Sequence, residues 1–435
     1  MAETLKKLFN ADGERRVLLH HSSDKDGGIG HLMPSEANVG LYTEAGYVPE
    51  DLLNHAYYDY IFGVLGRPAS IETIHDVEKG AIVYHGAPIV AESYSGPLAK
   101  VAREFGSSVT EEAQQLNNKL FFQTFVTEAL GAEYSTKPTT IEQGTKLSDL
   151  LDAAQMLLDA ARTKSDSDRI VVRVPDTAIA PGMGIGVLFA TNQGDITSFL
   201  TRLSLINEHQ VVTTDILLER FIPHIYSPSI TYFIADEGAE RLSVNAQILD
   251  GSRFVASTNI LPKEIEGIKG RMEELGDVLA DKAQQLGARG FIGFDTVITP
   301  DQRVVFIESN YRETGTTVPY TVAQRAVNFV EHPDDIGWAY VIENAYTKEL
   351  SNVELLLEAL RSQGHLFEGA HRDVVGLDRP RAVVTYAGGD EGYDIAFFWG
   401  KHKIEPEKAF EEISKTLQNI DVNVKLTRPT ITYAK

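Results

Sequence analysis

Two β-rich runs, residues 291–299 and 303–309, constrain the fold more than any other feature of this chain. Only the tripeptide Pro300-Asp301-Gln302 separates them. Strand-like runs joined by so short a turn predict an antiparallel β-hairpin. Apolar side chains in both runs would bury the hairpin in a core, namely Phe294, Val297, Val305 and Ile307.

The register of this hairpin brings acidic residues together. If the turn is centred on its second and third residues, Thr299 pairs with Val304 and Asp295 lies directly opposite Glu308. Alternation along the strand places Asn310 on the same face as Glu308. Two facing carboxylates repel each other unless a cation lies between them. Because Mg²⁺ prefers oxygen ligands and shares them with substrate phosphates, the hairpin predicts a Mg²⁺ site and a nucleotide. The alternative is that both carboxylates are simply solvated.

Composition narrows the classes of function. At 435 residues and 43% hydrophobic content, the chain fits two or three globular domains. A formal charge of −22 argues against nucleic-acid or anionic-membrane partners, which require clustered basic residues. The absence of cysteine excludes disulfides, thiolate zinc sites and a cysteine nucleophile. Without an apparent signal peptide or membrane-length apolar run, a cytoplasmic protein is expected.

The first 110 residues predict an open α/β domain. Short β-rich runs alternate with a helical stretch, and glycine and serine residues mark a boundary near residues 105–110. The strands are expected at 17–20, 81–84 and 89–91, and the helix at 50–65.

Residues 111–345 predict a second domain, of the α+β class, because strands and helices alternate without a parallel βαβ rhythm. Its helices are expected at 118–130, 146–161, 195–205 and 263–286. Its strands are expected within 132–140 and at 169–174, 186–190, 215–220, 229–235, 241–249 and in the hairpin. Residues 346–435 predict a small C-terminal α+β appendage with helices at 352–362 and 406–418 and strands at 381–387 and 395–399.

The hairpin carries a family resemblance. The run GFDTVITPDQRVVFIESNYR, residues 293–312, resembles the ATP-grasp signature of an acidic residue, a hairpin and then Glu-x-Asn-x-Arg. This is the fold of D-alanine–D-alanine ligase, biotin carboxylase and glutathione synthetase. The resemblance implies that Asp295, Glu308 and Asn310 ligate Mg²⁺. It also implies that Arg312 binds the substrate carboxylate or the acyl phosphate.

The resemblance further implies which residues contact the phosphates of ATP. Lys119, at the head of a helix, stands where the family places a phosphate- or adenine-side lysine. Arg173 takes the place of a second lysine, and arginine also binds phosphate, in a bidentate manner. The segment 181–186 is interpreted as a flexible lid rather than a plain hairpin turn, because it has three alternating glycines, Gly182, Gly184 and Gly186.

Residues 217–222 resemble the segment that lines the adenine pocket. The resemblance implies that Glu219 and the following backbone, of Arg220, Phe221 and Ile222, meet the edge of the base. The family often places a second glutamate for the ribose about ten residues later. Here that stretch is His-Ile-Tyr-Ser-Pro-Ser, so the ribose contact is left open.

A second polar cluster follows the first predicted strand. Its residues could line a substrate cleft, bind a metal or simply form a turn. They are His20, His21, Asp24, Asp26 and His31.

The implied activity is that of an ADP-forming ligase. A small-molecule carboxylate would attack the γ-phosphate of ATP, and an amine, such as an amino acid or peptide, would capture the acyl phosphate as an amide or peptide bond. One or two Mg²⁺ ions, or Mn²⁺, would assist, while Lys119, Arg173 and Arg312 offset the remaining charge. Within the family, the chain resembles the amide ligases of antibiotic pathways, and a homodimer is left open. The alternatives are a non-catalytic ATP-binding regulatory or scaffold protein and ATP-dependent acyl activation with a thiol acceptor.

Overall fold

The computed structural model describes thirteen parts of the chain, and these are residues 17–21, 38–42, 70–74, 89–91, 109–163, 167–175, 186–250, 253–312, 314, 335–343, 353–367, 377–388 and 392–420.

The N-terminal part contains a parallel four-stranded sheet with the strand order β3-β2-β1-β4. Parallel neighbours need crossover connections, which agrees with the predicted open α/β character. The strand predicted at 81–84 and the helix predicted at 50–65 lie outside the described residues. The strands are β1 Val17–His21, β2 Asn38–Tyr42, β3 Ser70–Ile74 and β4 Ile89–Ala91.

The middle part contains an antiparallel four-stranded sheet with the order β5-β8-β6-β7, covered by two helices, α3 and α4. Helix α3 buries Leu150, Ala154 and Leu158, which recur at the spacing of one helical face, while acidic residues take the other face. The elements are α1 Glu111–Gln114, α2 Lys119–Leu130, β5 Thr139–Ile141, α3 Leu147–Thr163, β6 Ile170–Arg173, β7 Val187–Ala190, α4 Gln193–Arg202 and β8 Ile216–Arg220. Short 3₁₀ turns occupy Gln115–Asn117 and Ala132–Tyr134.

The largest sheet has eight antiparallel strands in the order β13-β12-β9-β10-β11-β14-β16-β15. Its strands are β9 Pro228–Ile234, β10 Ala239–Asp250, β11 Arg253–Thr258, β12 Gly290–Ile298, β13 Val304–Asn310, β14 Ile336–Glu343, β15 Arg381–Gly388 and β16 Gly392–Gly400. The associated helices are α5 Lys263–Gln285, α6 Val353–Ser362 and α7 Pro406–Asn419.

Helix α5 packs on one side of this sheet. Strand β9 places Ile230 and Tyr232 in the core shared with α5, so Ser229 and Thr231, which alternate with them, lie on the opposite side. We call this opposite side the site face, because it carries Asp295. The fold thus places Asp295, Ser229 and Thr231 on the face opposite the core under α5.

The C-terminal strands β14, β16 and β15 continue the same sheet from β11 rather than forming a sheet of their own. Their core centres on the fully buried Trp399, whose ring packs edge-on against Phe410 of α7 at a centroid distance of 5.7 Å. The domain boundary predicted at 345 falls just after β14 and stays a prediction.

Among the described residues, no helix is both long and apolar enough to cross a membrane.

Candidate active site

The β12–β13 hairpin places Asp295 directly opposite Glu308, as the sequence predicts. The predicted pairing of Thr299 with Val304 is wrong, because Val304 pairs with Ile298. The loop has three residues, and Gln302 closes it in the left-handed region with φ 65°. Near the turn, the observed register therefore differs by one residue from the predicted one. An irregularity between Asp295 and Thr296 then shifts the pairing so that Asp295 lies opposite Glu308, as predicted.

Both carboxylate oxygens of Asp295 accept hydrogen bonds from amide side chains. Gln247 donates to Oδ1 at 2.9 Å, and Asn310 donates to Oδ2 at 2.9 Å. Asn310 in turn accepts from Arg312 Nη2 at 2.9 Å. The structure thus brings together three of the residues predicted from the sequence, in a chain that runs from Asp295 through Asn310 to Arg312.

The electrostatics of Asp295 show the cost of this arrangement. Burial, and then the negative charge of Glu308 opposite, raise the pKa of Asp295 to about 6. Hydrogen bonds from Ser229 and Asn310 and the positive charge of Arg312 act in the other direction without cancelling the effect. A cation between the two carboxylates would offset the repulsion between them.

Lys119 supplies a positive charge beside Glu308. Its Nζ lies 3.8 Å from Glu308 Oε1, and its side chain is only 4% exposed. Lys119 is the first residue of α2, which Asn118 caps by accepting from the backbone N–H groups of Leu120 and Phe121. The cap fixes where the helix begins, and with it the position of the lysine.

Arg173 connects the two antiparallel sheets. It extends from β6, and its Nη1 and Nη2 donate to the carbonyl of Ile307 on β13 at 2.9 and 3.0 Å. Its Nη2 also lies 3.0 Å from Glu219 Oε1, which accepts from Thr136 as well. Its buried Nε has no hydrogen-bond partner among the described residues. The guanidinium thus joins the two antiparallel sheets.

The segment predicted to meet adenine lies at the end of β8. Phe221 is buried, with the guanidinium of Arg169 5.2 Å from its ring centre and Phe189 packed edge-on at 5.7 Å. Arg220 and Ile222 on either side are half-buried. The contact of this segment with a base stays a prediction.

Other predicted residues are only partly described. Gly186 accepts from Val174 N–H at 3.0 Å and closes the β6–β7 pair. His20 and His21 end β1, where only the backbone is described. The rest lie outside the described residues, namely Gly182, Gly184, Asp24, Asp26 and His31.

Two residues that contact Asp295, Ser229 and Gln247, are not among those predicted from the sequence. For Ser229 a signal was available, because polar Ser229 and Thr231 alternate with apolar Ile230 and Tyr232, which indicates a polar face. Nothing marks Gln247, since it becomes a neighbour of Asp295 only when β10 and β12 flank β9.

The donor set fits a hard cation. Two carboxylates and an amide oxygen would hold Mg²⁺ only if phosphates and water completed its shell, which is how Mg²⁺ is usually bound. Among the described residues, no group of three or more His, Cys, Asp or Glu side chains could hold a metal by itself.

Comparison with known proteins shows the fold. No family model and no curated protein matches the sequence. A carboxyaminoimidazole ribonucleotide synthase from Aspergillus clavatus, solved with ATP, has a TM-score of 0.59 at 11% identity over 94% of this chain and 98% of that chain. An L-amino acid ligase from Bacillus licheniformis has a TM-score of 0.57 at 12% identity, again over 94% and 98%. The chain has the ATP-grasp fold.

A third ATP-grasp neighbour is the biotin carboxylase domain of a 2-oxoglutarate carboxylase from Hydrogenobacter thermophilus, solved with MgADP and bicarbonate. It has a TM-score of 0.52 at 12% identity over 93% of this chain and 89% of that chain. These similarities confirm the fold class predicted from the hairpin. At such low identity the ATP-grasp fold is established, whereas substrates and activity rest on the site.

Proposed function

We propose that this protein is a Mg²⁺-dependent, ADP-forming ligase that joins a small-molecule carboxylate to an amine. One observation carries the proposal, which is that Asp295 faces Glu308 beside Lys119 in an ATP-grasp fold. Neighbours of the same fold include an L-amino acid ligase and proteins solved with ATP or MgADP. An amino acid or a peptide is the amine proposed.

The residues of the hairpin and of α2 would handle the negative charge. Asp295, Glu308 and the side-chain oxygen of Asn310 would hold Mg²⁺, which supplies charge neutralisation and orientation for the phosphates. Lys119 Nζ and the guanidinium of Arg312 would offset charge on the phosphate oxygens. Phosphoryl transfer asks the protein chiefly for such positioning.

The reaction follows in two steps. A carboxylate oxygen of the substrate bonds to the γ-phosphorus while the bond from that phosphorus to the β–γ bridging oxygen breaks and ADP leaves. The amine nitrogen then attacks the acyl carbon, the carbon–oxygen bond to phosphate breaks, and the nitrogen loses a proton.

The test measures ADP release in the presence of Mg²⁺, ATP and pools of carboxylic acids and amino acids. We expect ADP to form together with an equal amount of amide, identified by mass spectrometry. ADP accompanied by a thioester when thiols are supplied would assign the thiol-acceptor activity instead. ATP binding without ADP release for any acceptor would assign a nucleotide-binding scaffold.

A further inference from the structure

The restored register of the hairpin depends on Ile307. Near the turn, Thr296 pairs with Phe306, whereas the next pair is Asp295 with Glu308, so Ile307 is an extra residue on β13. Such a β-bulge changes which side chains face which side. Without it Asp295 would lie opposite Ile307, and Glu308 would turn toward the apolar core under α5.

The carbonyl of the bulged residue is held by three N–H groups from two different elements. Arg173 provides two of them, from β6. Gln123 of α2 provides the third, since its Nε2 lies 2.9 Å from Ile307 O and 3.1 Å from Phe306 O. A bulge leaves backbone groups outside the regular ladder, and here side chains satisfy them.

The amide of Gln123 is itself fixed in orientation. Its Oε1 accepts from Ser135 Oγ and from Thr136 N, both at 2.8 Å. The side chain is 2% exposed, so both N–H bonds and the oxygen are used inside the protein. If the amide were flipped, its NH₂ group would face the donors of Ser135 and Thr136, and its oxygen would face the carbonyl of Ile307. Only the observed orientation therefore satisfies these hydrogen bonds.

We propose that Gln123 is a positioning residue that sets the divalent-cation affinity of the Asp295–Glu308 pair by holding the bulge at Ile307. It touches neither carboxylate, and its effect passes through the backbone of β13. The inference rests on the proposed function, because it assumes that the pair binds a cation with ATP. Partners outside the ligand shell commonly change metal affinity by about ten-fold or more.

The chain offers a matched control in Gln284 of α5. Its Nε2 also donates to two successive carbonyls, those of Ala235 and Asp236, at 3.0 and 2.9 Å. These carbonyls lie at the far end of β9 from Ser229, away from the site. Replacing either glutamine by methionine keeps an unbranched side chain of similar size and removes both donors.

The experiment compares wild type, Gln123→Met and Gln284→Met. Binding of Mn²⁺ in the presence of ADP is measured by electron paramagnetic resonance, half-saturating Mg²⁺ by ADP release, and stability by thermal unfolding. We expect Gln123→Met to weaken Mn²⁺ binding and raise half-saturating Mg²⁺ by about ten-fold, while the KM for ATP at saturating Mg²⁺ changes by less than about two-fold. Gln284→Met should leave both metal constants unchanged.

Ser135→Ala serves as a second variant if Gln123→Met does not fold, because it removes only one of the bonds that orient the amide. It should shift the metal constants in the same direction by a smaller factor. Wild-type Mn²⁺ affinity in the Gln123 variant, or an equal loss in the Gln284 variant, would overturn the inference alone. A wild-type protein that binds no Mn²⁺ with ADP would overturn the proposed function, and this inference with it.

Discussion

The carboxylates of Asp295 and Glu308 face each other across two neighbouring strands. The amide of Gln247, which donates a hydrogen bond to Asp295, lies 48 residues before Asp295 and 61 residues before Glu308 in the sequence. A like-charged cross-strand pair destabilises a sheet on its own. Lys119 lies beside Glu308, and Arg312 reaches Asp295 through Asn310. The sheet thus places two mutually repelling carboxylates next to positively charged side chains. Such an arrangement is expected of a site that binds a charged ligand.

Replacing one of these acids should separate activity from stability. We predict that Glu308→Gln lowers Mg²⁺-dependent ADP release by at least about 100-fold, because the cation loses one charged ligand. The free energy of unfolding should change by no more than about 1 kcal/mol, since relief of the repulsion with Asp295 offsets the lost attraction of Lys119. Urea unfolding and an ADP assay check both, with the exposed Glu128→Gln as control. Full activity in Glu308→Gln would rule out the metal assignment.

Two glycines of helix α5 should respond oppositely to alanine. A Cβ at Gly267 would meet nothing within 4 Å, so Gly267→Ala should stabilise the protein by about 1 kcal/mol through helix propensity. A Cβ at Gly276 would lie 2.5 Å from the hydroxyl of Tyr232, which is buried and bonded to Asp277 at 2.8 Å. Gly276→Ala should therefore destabilise by about 1–3 kcal/mol. Urea unfolding midpoints measure both, and equal effects would contradict the packing of α5 on β9.

The stability of the C-terminal strands should depend on pH through Asp394. Burial raises its pKa to about 7, and its hydrogen bond from Tyr340 at 2.6 Å opposes this only in part. Because the folded pKa lies above the unfolded value, the folded state binds the proton more tightly, so stability is lost as pH rises from about 4 to about 7. Asp394→Asn should remove this loss of stability. The effect of the substitution on the free energy of unfolding should therefore be more favourable at pH 8 than at pH 4, by up to about 4 kcal/mol. If the difference in free energy of unfolding between wild type and variant is the same at both pH values, the prediction is contradicted.

The glycine-rich segment 181–186 should respond to nucleotide. Its alternating glycines predict a lid over the phosphates, and residues 181–185 of the segment lie outside the described residues. We predict that ATP with Mg²⁺ slows cleavage of this segment by thermolysin several-fold, as mapped by mass spectrometry. Adding Mg²⁺ with AMP is the control, because AMP lacks the phosphates that the lid would cover. Equal cleavage with ATP and AMP would count against a lid.

Local patterns predicted most of the middle part of the chain. The helix expected at 118–130 forms because Asn118 caps it, and the hairpin forms around a turn readable from three residues. The helix expected from 195 begins at Gln193, since Asn192 serves as the cap by accepting from Asp195 N–H. Each success rests on contacts within a few residues.

Long-range contacts were harder to foresee. Strands β11 and β14 are not predicted from the sequence, because their pairing depends on a sheet built from segments that are distant along the chain. The opposition of Asp295 and Glu308 was predicted from a turn register that proved one residue off, and the bulge at Ile307 compensates for it. The donors that hold this bulge, from α2 and β6, come from elements more than 130 residues away.

The continuity of the eight-stranded sheet also bears on where the chain tolerates cutting. Strand β14 pairs with β11 along Ala256–Thr258, and β16 and β15 follow outward. A protein shortened before β14 would therefore leave β11 with unpaired backbone N–H and C=O groups. Such open edges recruit strands from other molecules, so the truncated form should aggregate rather than survive as an independent nucleotide-binding unit. The last three strands thus cover the edge of β11 in the sheet that carries the hairpin.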